Sequence, residues 1–277
     1  MTVEIEIICI GNELLIGKTL NTNAHLLSKQ ATTLGGNVKR ITVAQDTVDE
    51  IAKVICESIK RKPQFIIVTG GLGPTFDDIT LEGLAKALDC KLEINRKALA
   101  MVKEKCQEYA RKRHLPTMID LTPSRVKMAL LPEKAEPISN PIGSAPGVRV
   151  DVEGTVLFAL PGVPSEMEAI FTETIAPLLK QATGGVVFWE KSMFVDNMIE
   201  SNLAPLIDKV MSENKGIYIK SHVYVKAHVN VENKPHIEIH LTMRAAEEEK
   251  PTDKLQKAVI EFASLIKANG GKAIVEP

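Results

Sequence analysis

The chain has 277 residues, 44% apolar, 25% charged and only 4% aromatic, the make-up of a globular protein long enough for two domains. Its 34 basic and 35 acidic residues leave a net charge of −1. No field of one sign is therefore available to draw in DNA, RNA or an anionic membrane, and the scarcity of aromatics removes the platforms on which single strands stack.

Cys9, Cys56, Cys90 and Cys106 are isolated, with no C-x-x-C pair, so neither a disulfide framework nor a zinc site is expected and a reducing compartment is. Cys9 reads as core rather than as a catalytic thiol. The chain starts with alternating acids instead of a basic stretch and an apolar run, and no window approaches the roughly 18 apolar residues of a membrane span. A cytoplasmic location follows as an expectation, with neither a membrane nor a nucleic acid as partner.

Glu4–Ile10 is an Ile-rich run ending at Gly11, which reads as a buried first strand. A helix follows with Ala24, Leu27, Ala31 and Leu34 on one face, capped by Asn21 or Asn23 and closed by Gly35-Gly36. Val38–Val43 is the second strand. Thr47 and Glu50 form a capping box for a helix burying Val48, Ile51, Ile55 and Ile59. Phe65–Thr69 is the third strand, with its helix starting near Asp78–Thr80. Strands alternating with helices at this spacing make parallel βαβ units. Further helices are expected over Arg96–Arg113, over Ser124–Leu130 behind Thr122-Pro123, and from Pro164 to about Lys180. Val148–Val152 and Thr155–Leu160 form a hairpin around Glu153-Gly154.

Thr183-Gly184-Gly185 reads as a linker, giving domains 1–183 and 184–277. Beyond it the pattern is strand (Val186–Val195), helix (Met198–Met211), two strands (Gly216–Ile219, His236–Met243), helix (Thr252–Ala268) and strand (Lys272–Val275), the order of a split βαβ domain. His236 and His240 sit four apart on one face of a strand, where solvated side chains are the simpler reading than a metal site.

The chemistry concentrates in Thr69-Gly70-Gly71-Leu72-Gly73-Pro74-Thr75-Phe76-Asp77-Asp78-Ile79-Thr80, which leaves a buried strand and enters a helix. That is where an α/β sheet places its ligand crevice. Three glycines let backbone N–H groups approach phosphate oxygens, and the following helix N-terminus favours negative charge. The stretch lacks the Gly-Lys-Ser/Thr of a P-loop and does not fit G-x-G-x-x-G. A tight turn with Asp78 or Thr80 as a plain helix cap is the bland alternative.

This loop resembles the signature of the molybdopterin-binding domain family of molybdenum-cofactor biosynthesis, and more closely that of the CinA family. Three further segments agree in order: Gly11-Asn12-Glu13-Leu14-Leu15-Ile16-Gly17 with Asn21-Thr22-Asn23, Asn140–Gly147, and Leu160–Met167. The resemblance covers about residues 4–180. It implies a three-layer α/β/α domain with a mostly parallel sheet, followed by a small α+β domain of KH type. The nicotinamide-mononucleotide amidohydrolase domain that often comes next in CinA proteins has no room before Pro277, so deamidase activity is not carried over.

The resemblance further implies metal-dependent hydrolysis of the pyrophosphate of ADP-ribose or a related nucleotide, or else molybdopterin binding without turnover. Asp78 matches the acid of both families' loops, and Lys127 falls in a stretch similar to the family's. With Asp46, which follows the second strand and equally reads as the flank of the Thr47 helix, they are the candidate catalytic residues. Asp78, Asp77 and Asp46 are oxygen ligands suited to Mg²⁺, Mn²⁺ or Co²⁺, with K⁺ as a further cation. Ligand contacts would come from Gly11, Asn12, Glu13, Asn23, Thr69, Gly70, Gly71, Gly73, Pro74, Thr75, Asn140, Gly143, Ser144, Pro161 and Gly162. Arg125 is a second cation beside Lys127. Many relatives carry an acid where this chain has Asn21, a change that weakens a metal site more than a ligand site. Residues 184–277 contain no basic G-x-x-G clamp for RNA, and an oligomerising or lid role is expected of them, with the protein a homo-oligomer.

Overall fold

The computed structural model describes residues 2–114, 121–224 and 236–275. It divides into two compact units, Met1–Gly184 and Gly185–Pro277.

The first unit is a three-layer sandwich around a six-stranded sheet of order β2-β1-β3-β8-β7-β6. Its parallel core is β1 (Glu4–Ile10), β2 (Asn37–Ala44), β3 (Phe65–Thr69) and β8 (Thr155–Leu160), and β7 (Gly147–Val152) and β6 (Glu136–Ile138) extend it antiparallel. β3 as far as Val68 and the second half of β1, from Ile7 to Ile10, are continuous apolar runs because helices cover both faces. On one face Ile8, Ile10, Ile66 and Val68 pack against α3 (Val48–Lys60), α4 (Thr80–Ala87) and α5 (Arg96–Lys112). On the other, Ile5, Ile7, Ile67 and Phe158 pack against α2 (Thr22–Thr33) and the helix that starts as α7 (Pro164–Ile170). A short turn of helix, α1 (Asn12–Leu15), follows β1.

Local chemistry accounts for the boundaries. The Thr47 hydroxyl accepts from Glu50 N at the start of α3, and Asn21, not Asn23, caps α2 by accepting from Ala24 N. The hairpin between β7 and β8 turns through Glu153 and Gly154, both at positive φ (49° and 85°), the conformation that two-residue hairpin loops need.

Three segments differ from expectation. The helix expected over Ser124–Leu130 is only a short α6 (Pro123–Lys127), after which β5 (Leu130–Pro132) pairs with β4 (Leu92–Ile94). The helix from Pro164 is interrupted by a π-helical turn over Phe171–Ile175 before it resumes as α8 (Ala176–Ala182). Asp78 is not the cap of α4: Ile79 occupies that position with no side-chain cap bond.

The second unit is α+β, with β9 (Val187–Asp196), α9 (Glu200–Glu213), β10 (Ile217–Tyr224), β11 (His236–Ala245), α10 (Pro251–Ala268) and β12 (Lys272–Val275). Its sheet order, β10-β11-β9-β12 with every pair antiparallel, is that of a split βαβ arrangement. β10 runs five residues beyond the expected Ile219. Buried Phe262 and Val259 of α10 share a core with Ile239 and Leu241 of β11. Among the described residues no helix is long and apolar enough to cross a membrane.

Candidate functional site

β2 and β3 lie on opposite sides of β1, so the chain reverses its winding direction there, and the loops leaving the carboxyl ends of β1, β3 and β8 part to form a crevice. That crevice is an open cleft of 390 Å³. It brings together Gly11, Glu13 and Asp46 from the β1 and β2 ends and Pro161 and Gly162 after β8. Gly70, Gly71, Gly73, Pro74, Thr75, Asp77 and Asp78 supply the β3 side, and Ser144 completes it.

Glycine is required at the floor. Gly70 has φ 108°, and a Cβ there would stand 2.3 Å from the Ile10 carbonyl oxygen. Gly71 has φ 66°, and a Cβ would meet the Thr80 hydroxyl. Thr80, the first residue of α4, holds the loop through Oγ1 to Gly70 O at 2.8 Å and N to Gly71 O at 3.1 Å. Gly70 N donates to Leu160 O at 3.0 Å, whereas the N–H groups of Gly71, Leu72 and Gly73 have no protein acceptor among the described residues. Consecutive N–H groups left free beside a cleft are the kind of feature on which an anion can be held.

The acids surround these donors. Asp78 Oδ2 accepts from Thr75 N at 2.8 Å and from the Thr75 hydroxyl, and Asp77 Oδ1 reaches the same hydroxyl. Asp77 and Asp78 thus face one point, which the sequence leaves undecided. The Thr75 hydroxyl hydrogen bond holds the Asp77 carboxyl below its ordinary value, together with its own backbone N–H and the attraction of Lys127. Asp46 Oδ2 accepts from Asn12 N at 2.7 Å, which ties the ends of β1 and β2 together. Among the described residues no group of three His, Cys, Asp or Glu is arranged to hold a metal by itself.

Several expected contacts instead build the walls. Lys127 donates from Nζ to Thr75 O at 2.6 Å and lines a small pocket behind the loop with Gly71, Gly73 and Asp78, so it braces the glycine loop. Asn140 is buried; its Nδ2 donates to Ala145 O and Glu166 Oε2, and its Oδ1 accepts from Ile142 N and Gly143 N. Its polar capacity goes to shaping its own loop and tying that loop to Glu166 of α7. Asn12 contributes only its backbone. Asn23 Nδ2 donates to Thr69 Oγ1 at 3.1 Å and Gly162 O at 2.8 Å, and Thr69 Oγ1 donates to Pro161 O at 2.9 Å.

Asn23 and Thr69 also line a side pocket of 120 Å³ that shares Ile10, Glu13, Gly70 and Gly162 with the cleft. Asn23 Oδ1 itself is buried and has no partner among the described residues. Cys9 closes the pocket; burial pushes its thiol above the ordinary value and the Asn21 hydrogen bond offsets this only in part, so it stays protonated.

Glu166 is the residue sequence reasoning missed. It lines the cleft, accepts from Asn140 at 2.7 Å and packs so closely on Gly143 that a Cβ there would fall 2.0 Å from its Oε2. The signal was present in the Leu160–Met167 segment, where an acid follows Pro164 in the first turn of α7. In the second unit, His240 lies between Glu190 and Glu238 on the outer sheet face; the side chain of His236 lies outside the described residues.

Residues 6–181 match the family described as "Probable molybdopterin binding domain". The chain belongs to this molybdopterin-binding domain family. A relative from Metallosphaera sedula is 47% identical over 217 residues, 78% of each chain. One from Caldivirga maquilingensis is 39% identical over 263 residues, 95% of this chain and 96% of the relative, so the similarity runs through both units. Among solved structures, the protein CinA of Thermoplasma acidophilum, described as of unknown function, is 40% identical with a TM-score of 0.56, covering 63% of this chain and 98% of that one. The molybdopterin-binding domain here is thus CinA-like, and its glycine loop, Asp78 and Gly162 all fall inside the matched span.

Proposed function

We propose that the cleft binds a phosphate-bearing heterocycle, a nucleotide or a pterin, as a complex with a divalent cation, and that its activity is hydrolysis of the pyrophosphate of ADP-ribose or a related nucleotide. The observation that carries this is the pairing of opposites at one place. The unpartnered N–H groups of Gly71, Leu72 and Gly73 offer themselves to an anion, while Glu13, Asp46, Asp77, Asp78 and Glu166 line the same cleft and repel one. An anion enters such a site favourably only together with a cation.

The donor set suits Mg²⁺, which keeps several waters and takes one or two carboxylates plus phosphate oxygens rather than a protein cage. Asp78 Oδ1 and Asp46 Oδ1 have no protein partner among the described residues and would serve as those carboxylates. The cation supplies charge neutralisation on the phosphates. The chain holds the phosphate at the glycine loop and keeps that loop in place through Lys127 and Thr80.

A second reading, pterin binding without turnover, is favoured by the family match over residues 6–181. Release of AMP from ADP-ribose with Mg²⁺, Mn²⁺ or Co²⁺ separates the two: no AMP with any of these ions removes the hydrolase. Asp78→Asn keeps an acceptor for Thr75 and deletes the charge. Its expected effect is at least about a tenfold loss of cation-dependent ligand affinity by calorimetry, roughly 1.4 kcal/mol. Wild-type affinity in that variant would rule out a cation at Asp78.

A further inference from the structure

The cleft does not end at Glu166. Pro74, Met128, Ser144 and Glu166 are also walls of a second recess of 410 Å³. Its far side is one face of α5, where Lys105, Tyr109 and Lys112 recur at helical spacing, joined by Arg125 of α6.

The charge reverses between the two spaces. Five carboxylates and no cation line the cleft, whereas Lys105, Lys112 and Arg125 face Glu108 and Glu166 in the recess. Both recess acids have partners: Glu108 pairs with Lys105 at 3.2 Å, and Glu166 accepts from Asn140. Lys105 also donates to Pro141 O at 3.1 Å, so it is fixed in the wall. Lys112 has no carboxylate partner among the described residues. Tyr109 is 55% exposed, with the Arg113 guanidinium 4.8 Å from its ring centre. An exposed aromatic ring among cations suits a sugar or base that carries a phosphate.

We propose that this recess is a second anion subsite for the same ligand, which would therefore carry, beyond the group held at the glycine loop, a further phosphate seated at Lys112. This rests on the ligand reading above and extends it to the substrate class: a doubly phosphorylated nucleotide-like molecule rather than a simple nucleoside diphosphate. The two ends differ in principle. The acidic cleft takes its phosphate only with a cation, whereas the basic recess takes one directly.

The test compares ADP with ADP phosphorylated at the ribose 2′ or 3′ hydroxyl, by calorimetry on the whole chain, with and without Mg²⁺. The extra phosphate is expected to tighten binding about tenfold, to keep that advantage without Mg²⁺, and to lose it progressively as salt is raised. Lys112→Glu, a change at an exposed position, is expected to bring the ratio of the two affinities to about one or below it. An extra phosphate that gives no gain in the wild type, or a gain that survives Lys112→Glu, overturns the subsite while leaving the cleft reading intact. Failure of ADP itself to bind with Mg²⁺ removes the cleft reading first.

Discussion

Gly70→Ala is expected to abolish ligand binding and to destabilise the first unit by about 3 kcal/mol, because strain and collision fall on the same residue. Its φ of 108° lies where side chains are rarely tolerated, and the added Cβ would stand 2.3 Å from the Ile10 carbonyl oxygen. That oxygen is backbone, at the end of the strand paired with β3, so it cannot swing aside as a side chain would. Relief requires separating β1 from β3 at the cleft floor. Gly162 is also involved, since a Cβ on it would lie 3.4 Å from Gly70 Cα, and the same movement disturbs the β8 loop. Gly154→Ala is the control, with φ 85° and nothing within 4 Å of a new Cβ; strain alone is expected to cost it about 1 kcal/mol. Urea unfolding of both variants, with a thermal shift in ADP and Mg²⁺, checks the pair. If Gly70→Ala is as mild as Gly154→Ala and still responds to ligand, the close approach is not what shapes the site.

How much of this was legible in the sequence depended on the range of the interactions. The Thr47 cap, the Glu153-Gly154 turn and the apolar β1 and β3 are set within a few residues, and they stand where periodicity and turn chemistry place them. Leu130–Pro132 becomes a strand only because Leu92–Ile94 lies alongside, a pairing nearly 40 residues apart that no local propensity encodes. The same holds at the site. Gly70, Gly71 and Gly73 could be read because a glycine's lack of Cβ is a property of the residue itself. The roles of Lys127 and Glu166 could not, since each is defined by a distant partner: Thr75 O and Asn140 Nδ2. Lys127 was expected at the phosphate from its charge and its place in a stretch similar to the family's, and its reach to the Thr75 carbonyl makes it a brace of the loop.

The ion pair between buried Glu6 and the partly exposed Arg61 gives the second large effect, and its pH dependence can change sign. Glu6 is 4% exposed in the middle of β1, and it accepts from Arg61 Nε and Nη2, both at 2.7 Å, and from Ser58 Oγ at 2.8 Å. Arg61 ends α3, where its charge also suits the helix C-terminus. Burial pushes the Glu6 carboxyl up; the hydrogen bonds from Arg61 and Ser58 and the attraction of Arg61 and Arg40 outweigh it and hold the group below its ordinary 4.5. A carboxyl lowered on folding contributes stability that is present above its unfolded value and is lost as pH falls through its folded value. Wild-type stability from this group is therefore fully present above the ordinary value of 4.5 and is lost as pH falls through the lowered folded value. Arg61→Ala leaves the buried Glu6 carboxylate with Ser58 as its one hydrogen-bond donor among the described residues; because Arg61 is itself partly exposed, the expected cost is about 2 kcal/mol at pH 7. Burial then dominates and raises the Glu6 carboxyl, so that the group loses stability as pH climbs from 4 to 7. Glu6→Gln removes the titrating group, keeps an acceptor for Ser58 and leaves Arg61 partly solvated, so its cost is smaller and its pH slope flatter than either. Urea midpoints of the three proteins at pH 4 and pH 7 decide the matter. The difference between wild type and Arg61→Ala should widen toward neutral pH. Were it constant, Glu6 would be neutral in the folded protein and the pair would be a hydrogen bond without charge.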